Sequence, residues 1–254
     1  MQRAIITLCI AALAIAGCDK STGPGGAGQM TMYMVDAPAH YDAVNIVVKE
    51  VAVHSSTQGW VTINSTERTF NLLSLTNGAA AVLGSASLAV GQYTEIRLIL
   101  GAGSTVVVDG QTFGLTVASG FETGIKLVHS FDIEEGARYD LLLDFDAARS
   151  IIQVGLTYVL KPTIRVQALA SSASISGTVQ PSSASALITA TSANDTATTY
   201  ATSSGAFKFV GLASATYSLT VQATQGSYRD TTLGNVAAMS GATITVGTIV
   251  LTSR

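Results

Sequence analysis

The chain has 254 residues, of which 11% are charged, and a formal net charge of −3. Scattered Lys and Arg on a slightly acidic chain exclude the basic footprint of a nucleic-acid-binding protein or a polybasic membrane patch. Abundant Val, Thr, Ser, Ala and Gly fit β-sheet with small-residue turns better than solvated helices. At the N-terminus, Arg3 precedes an apolar run from Ala4 to Ile15. That run is too short for a bilayer span of roughly 20 residues and has the build of an export signal.

Ile15-Ala16-Gly17-Cys18 closes the run, and the polar tether Asp19-Lys20-Ser21-Thr22-Gly23-Pro24-Gly25-Gly26 follows it. An aliphatic residue, two small residues and a cysteine in this setting resemble the lipobox of bacterial lipoproteins. The resemblance implies cleavage before Cys18, lipidation of its sulfur, a signal peptide at 1–17 and a flexible tether at 18–28. The expected partner is therefore a membrane, reached through the lipid, since two or more acyl chains suffice for stable attachment. The expected address is the cell envelope, with the outer membrane or cell surface ahead of the inner membrane. Asp19 counts against that order, because an Asp there resembles the inner-membrane retention signal of enterobacterial lipoproteins. Cys9 leaves with the signal and Cys18 is consumed by lipid, so the ectodomain has no disulfide and must rest on core burial.

Beyond the tether, Met30-Thr31-Met32-Tyr33-Met34-Val35 alternates as a strand does, and Asp36-Ala37-Pro38-Ala39 breaks it, with Asp36 suited to an Asx-turn. A second strand runs from Ala43 to His54, and Trp60-Val61-Thr62-Ile63 returns after a turn. Thr69 to Leu75 reads as extended, and Ala79 to Leu88, rich in Ala and Leu, as a short helix. Tyr93 to Leu100 is strongly β, and Val106-Val107-Val108, Asp109-Gly110 and Gln111-Thr112-Phe113 read as a hairpin on an Asp-Gly turn. Further strands are expected at 123–127, 131–133, 139–146 and 158–166. Many short strands with turn signals between them predict a sandwich. The small-residue run Ala168 to Ala173 marks a boundary. Past it, a Thr/Ser/Ala-rich unit of about 80 residues has the length of a compact sandwich. Its apolar alternation at Phe207-Lys208-Phe209-Val210 and Tyr217 to Val221 favours a folded unit over a mucin-like stalk. The fold class is thus all-β, two β-sandwich domains in tandem at 29–168 and 169–254 after signal peptide and tether.

Val35-Asp36-Ala37-Pro38, Val44-Asn45-Ile46, Val51 to His54 with Trp60, and Gly91-Gln92-Tyr93 with Ile96-Arg97-Leu98 form an ordered series. Gly124-Ile125-Lys126, Asp144-Phe145-Asp146 with Ser150, and Leu160-Lys161-Pro162 continue it. Together they resemble the DUF4382 family of bacterial envelope lipoproteins, which has no assigned activity and so implies no catalytic residues. Ile175-Ser176-Gly177-Thr178-Val179, Ser203 to Phe209, Gly211-Leu212 and Ala215 to Leu219 resemble a carboxypeptidase regulatory-like domain, a transthyretin-type seven-stranded sandwich. That resemblance implies a non-catalytic module, which some classifications group with a carbohydrate-binding-like fold.

Among candidate site residues, Asp144 and Asp146 project to one face of a strand about 7 Å apart. They are read either as structural carboxylates at a strand end, with Asp144 accepting from Arg97 or a loop amide, or as ligands of calcium, the one cofactor considered. Arg97, flanked by Ile96 and Leu98, needs a carboxylate if it is buried, and Asp144, Asp146 and Asp36 are the candidates for an ion pair. Trp60 is either a core plug or a stacking platform for a sugar or peptide. His40, His54 and His129 have no metal-ligand spacing, and no nucleophile elbow, P-loop or dinucleotide fingerprint occurs. The expected function is a non-catalytic, envelope-anchored adhesion, scaffolding or ligand-binding lipoprotein with a glycan or protein ligand. A carbohydrate-binding surface protein and a metal-dependent hydrolase are the alternatives.

Overall fold

The computed structural model describes residues 26–118 and 123–254. The signal peptide, Cys18 and the tether as far as residue 25 lie outside the described residues. The N-terminal unit begins with strands β1 (Ala27–Ala37), β2 (Ala43–Ser55), β3 (Gly59–Asn64) and β4 (Arg68–Asn71). After a 3-10 turn at Leu72–Leu75 come β5 (Ala81–Ala89), β6 (Gly91–Leu100), β7 (Thr105–Val108) and β8 (Gln111–Val117). β9 (Ile125–Ile133) and β10 (Arg138–Asp146) follow. A one-turn helix, α1 (Ala147–Ser150), leads into β11 (Ile151–Val154), β12 (Thr157–Leu160) and β13 (Ile164–Ala168). One sheet has the order β13-β10-β1-β5; the other runs β11-β12-β8-β7-β2-β6-β9, with β3 and β4 paired along β2.

The period-2 alternation of these strands decides what faces what. On β1, Met30, Met32 and Met34 are at most 1% exposed and belong to the core between the sheets. On β10, which runs parallel to β1, Leu141, Leu143 and Phe145 join them. Full burial of each such side chain contributes about 1.5–3 kcal/mol. The alternate residues, Tyr33 and Val35 on β1, then Leu142 and Asp144 on β10, point to the other side of the sheet. Arg165 on β13 is in register with Asp144 and shares that side.

The C-terminal unit comprises β14 (Ala173–Gln180), β15 (Leu187–Thr191), β16 (Thr196–Tyr200), β17 (Ala206–Leu212), β18 (Ala215–Gln222), β19 (Thr231–Ala238) and β20 (Thr243–Val250). They make a three-stranded sheet, β17-β14-β20, and a four-stranded sheet, β16-β15-β18-β19. A separate core built on Ile175, Ile188, Phe207, Phe209, Tyr217 and Leu219 lies within them. Ala184, Ala186 and Ala190 fill the narrow parts of that core, while Thr189 and Thr191 face outward. The low-complexity look of this segment is therefore β alternation written in small residues.

Three local expectations are corrected. Ala79 to Leu88 is not a helix: residues 81–89 form β5, paired antiparallel with β1. An isolated helix of this length, interrupted by Gly84, is marginal in water, and the hydrogen-bonding edge of β1 is the better partner. Asp36 does not make an Asx-turn, because β1 continues through Ala37 and its carboxylate accepts from the distant Ala147 amide. The extended piece expected at 69–75 stops at Asn71, whose side chain caps the 3-10 turn that follows.

The two units touch along the outer side of the β13-β10-β1-β5 sheet. Gly211 on β17 holds φ at +70°, and a Cβ there would overlap Leu142 Cδ2 on β10. Leu142 is 2% exposed yet sits outside both cores, so the second unit is what covers it. Gly211→Ala combines left-handed strain of about 1–2 kcal/mol with overpacking of about 1–3 kcal/mol. It is expected to lower stability by about 2–4 kcal/mol, read as a lower urea midpoint at unchanged slope.

Candidate functional site

Between the two units lies a cleft of about 360 Å³ whose wall carries a run of charged and hydroxyl side chains. Arg165 spans it. Its Nη2 donates to Asp144 Oδ2 at 2.8 Å within the first unit, and its Nη1 donates to Asp195 Oδ1 in the second. Asp195 sits in the turn between β15 and β16, held by Ser192, whose hydroxyl accepts from the Asp195 amide at 3.1 Å. Its other oxygen accepts from Tyr217 Oη at 2.5 Å and from the Ala213 amide at 3.3 Å. Two smaller contacts flank this bridge. Tyr200 Oη lies 3.1 Å from His40 Nε2, and Asn77 Oδ1 accepts from the Lys208 amide at 2.6 Å.

The electrostatics follow from burial and neighbours. Burial raises Asp144, with the Arg165 charge opposing it. Burial also acts to raise Asp195, but the Tyr217 hydroxyl and Arg165 outweigh it and hold the carboxyl below its usual range. Burial, reinforced by donation to Asp195, pushes Tyr217 up to about 12. Asp36 is different in kind. It is 6% exposed, its Oδ1 accepts from the Ala147 amide at 2.9 Å, and its Oδ2 has no partner. Burial, helped by the nearby Asp144 and Asp146 carboxylates, pushes it up to about 8, so it is a neutral acid at pH 7.

The carboxylates singled out from sequence are both in the cleft but are already engaged. Asp144 is bound to Arg165, and Asp146 caps α1 by accepting from the Arg149 amide at 2.9 Å. Among the described residues no group of three His, Cys, Asp or Glu side chains is placed to hold a metal ion. The hydrolase alternative required Asp144, Asp146 and a histidine to converge, and that convergence is not found.

Arg97 is corrected in its partner. None of Asp36, Asp144 and Asp146 pairs with it; Glu50 on the adjacent β2 approaches its Nη2 at 3.6 Å. Arg97 and Glu50 alternate to the side of the sheet opposite Ile96, Leu98 and Val51, away from the core. The Arg97 guanidinium lies 4.4 Å from the Trp60 ring centroid, and His54 meets the same ring edge-on at 5.1 Å. A Cβ at Gly124 would lie 2.8 Å from Arg97 Cγ, so a glycine lets the arginine stem cross β9. Trp60 is half-buried under this arginine, neither a core plug nor a platform with both faces free.

Sequence reasoning missed Arg165, Asp195, Thr199 and Tyr217 as members of the site. Arg165, flanked by Ile164 and Val166, carried the same signal as Arg97, a lone cation in an apolar strand. Asp195, in a Ser/Thr/Ala-rich stretch, carried no such signal.

These features define a two-unit β-sandwich protein joined through a charged cleft. Residues 27–162, more than half of the chain, match the family described as "Domain of unknown function (DUF4382)". The chain belongs to that family. No curated protein matches it. Among solved structures, the Bacillus anthracis TIE protein is similar at 12% identity and a TM-score of 0.24, covering 90% of this chain and 35% of its own. The shaft pilin SpaA of Lactobacillus rhamnosus GG, as its E269A/D295N double mutant, is similar at 9% identity and a TM-score of 0.26, with 90% and 98% covered. The minor pilin GBS52 of Streptococcus agalactiae is similar at 13% identity and a TM-score of 0.25, with 89% and 96% covered. The chain thus spans about a third of the length of the B. anthracis protein.

Two outcomes test the site. Arg165→Met leaves Asp144 and Asp195 without their shared cation, and a partly buried pair of this kind is expected to cost about 2–4 kcal/mol in urea unfolding. The Asp36 proton gives a pH signature. An unfolded Asp titrates near 4 and the folded one near 8, so the folded state holds the extra proton between these values. Its stability contribution is full below about pH 4 and is lost as pH rises towards 8, at up to about 1.4 kcal/mol per pH unit. Asp36→Asn is expected to remove that slope when urea midpoints are measured across the window.

Proposed function

We propose that this protein is a non-catalytic lipoprotein of the cell envelope, serving adhesion or scaffolding by presenting two docked β-sandwiches close to a membrane. The anchor is Cys18 in Ile15-Ala16-Gly17-Cys18. Nine residue steps separate Cys18 from Ala27, where β1 begins, and at about 3.3–3.6 Å each they reach at most about 30 Å. The folded unit is thus held near the headgroups, on the outer membrane or cell surface. The observation that carries the scaffolding reading is the Arg165 bridge, because it fixes the second sandwich to the first instead of leaving it on a free linker.

The second sandwich is read as a carboxypeptidase regulatory-like domain. Its seven strands in sheets of three and four support that reading, as do Ile175 to Val179 on β14 and Phe207-Lys208-Phe209 on β17. Sugar stacking on Trp60 has less support, since Arg97 and His54 already occupy part of that ring.

Cys18→Ser is the test. Wild-type chain is expected in the membrane fraction, extracted only by detergent and labelled by radioactive palmitate. The substituted chain is expected to lose the label and to appear in the aqueous fraction. Membrane retention of the Cys18→Ser chain after a high-salt wash would overturn the anchor.

A further inference from the structure

The sheets of the first unit end in four edge strands, β13 and β5 on one and β11 and β9 on the other. An edge strand offers unpaired amides and carbonyls to any strand that approaches, and proteins blunt it with charge, cover or brevity. β9 exposes Lys126 and Asp132, and β13 carries Arg165. On β5 the Leu83 and Val82 carbonyls accept from Asn64 Nδ2 at 2.8 Å and Arg68 Nη1 at 3.2 Å. β11 has only its length of four residues as protection. No charged residue occurs from Ser150 to Leu160, and Ile152, Val154 and Leu156 are 45%, 59% and 90% exposed.

The ladder to β12 fixes which way the backbone of β11 points. The Lys161 amide donates to the Ser150 carbonyl at 2.7 Å, in the register that sets Ile151 opposite Leu160 and Val154 opposite Thr157. Antiparallel ladders alternate hydrogen-bonded and open pairs, so Ile152 and Val154 bond to β12 and Gln153 turns its N–H and C=O to the free edge. Ile151 belongs to the core, so Ile152 and Val154 stand on the outer face of the sheet. Gly155, at φ +61°, closes the hairpin, and Gln153 Nε2 donates to its carbonyl at 3.2 Å.

Lipid could cover the apolar side chains but would leave the Gln153 N–H and C=O without partners, which hydrocarbon tolerates poorly. A strand satisfies both, and the strand that fits is β11 itself. In an antiparallel pair centred on Gln153, the two copies of that residue exchange both backbone bonds. Ile152 of each copy then meets Val154 of the other, so the apolar side chains are matched twice and no charge is buried. The twofold closes the assembly at two copies. We infer that the protein self-associates through β11, joining the sheets of two copies across a twofold axis at Gln153. A pair of four-residue strands is small beside the roughly 1,200–2,000 Å² of a stable complex, so association is weak and concentration-dependent.

The test is oxidative cross-linking of the full chain in mild detergent, with Cys9→Ser and Cys18→Ser removing both native thiols. The outcome is thereby independent of the fate of Cys18. Gln153→Cys is expected to give a disulfide-linked dimer with copper phenanthroline. Its Cα atoms would lie about 5.5 Å apart in a hydrogen-bonded antiparallel pair, within disulfide reach. Val128→Cys, 85% exposed on β9 at the other end of the same sheet, is expected to stay monomeric. Adding Val154→Lys to Gln153→Cys should lower the dimer yield at least about tenfold, because a charge then faces Ile152 of the other copy. Adding Ile152→Glu as well should restore the dimer, since this register sets the two new charges opposite each other. Restoration also separates lost pairing from lost folding. A monomer from Gln153→Cys would overturn the inference, as would an equal dimer yield from Val128→Cys. So would a dimer indifferent to Val154→Lys, or a loss that Ile152→Glu does not restore.

Discussion

Arg165 is the residue on which the arrangement of this molecule depends. Its guanidinium binds one carboxylate in its own unit, Asp144, and one in the other, Asp195. Moving three charges out of water is costly, and Coulomb attraction repays that cost only with good geometry and with every remaining lone pair satisfied. On the Asp195 side the surrounding groups supply this. Tyr217 and the Ala213 amide complete Asp195, and Ser192 fixes the turn that carries it. A hydrophobic patch could hold two sandwiches together in many orientations. A planar guanidinium whose two terminal nitrogens must each reach a carboxylate, one in each unit, narrows that choice.

The same bridge explains why β10 has an apolar residue where a single sandwich would have a polar one. Leu141, Leu143 and Phe145 serve the core of the first unit, while Leu142 and Asp144 serve the interface. Leu142 supplies burial against Gly211, and Asp144 supplies direction through Arg165. One strand therefore belongs to two packing problems, and its near-continuous run of buried residues follows from that.

This dual use marks the limit of what the sequence discloses. The all-β class was legible because alternation and turn residues are local, as in the Asp109-Gly110 hairpin joining β7 and β8. The helix expected at Ala79 to Leu88 was misread because its partner, β1, lies about fifty residues away, and pairing between distant segments leaves no local trace. Arg97 and Arg165 looked alike in sequence, each a cation between apolar neighbours. Register separates them: Ala52 stands opposite Arg97 and leaves it to Glu50 and the Trp60 ring, whereas Asp144 itself stands opposite Arg165. Asp144 and Asp146 stand out in the sequence, but their commitments to Arg165 and to α1 depend on tertiary structure. Thr199, one of several threonines in its strand, offered no signal.

Asp36 shows how position in a strand sets the chemistry of a side chain. Met30, Met32 and Met34 occupy the core-facing positions of β1, and the next such position is Asp36. A carboxylate at the end of a methionine row has two ways to be tolerated: a cationic partner, or retention of its proton. Arg165, in the same cleft, is already shared by Asp144 and Asp195, and the nearby Asp144 and Asp146 repel a further negative charge. Protonation is what remains. The cation that fixes the two sandwiches is thus not available to Asp36, which stays a neutral acid at the end of β1. The structural role of Arg165 and the retained proton of Asp36 are therefore two consequences of one allocation of charge.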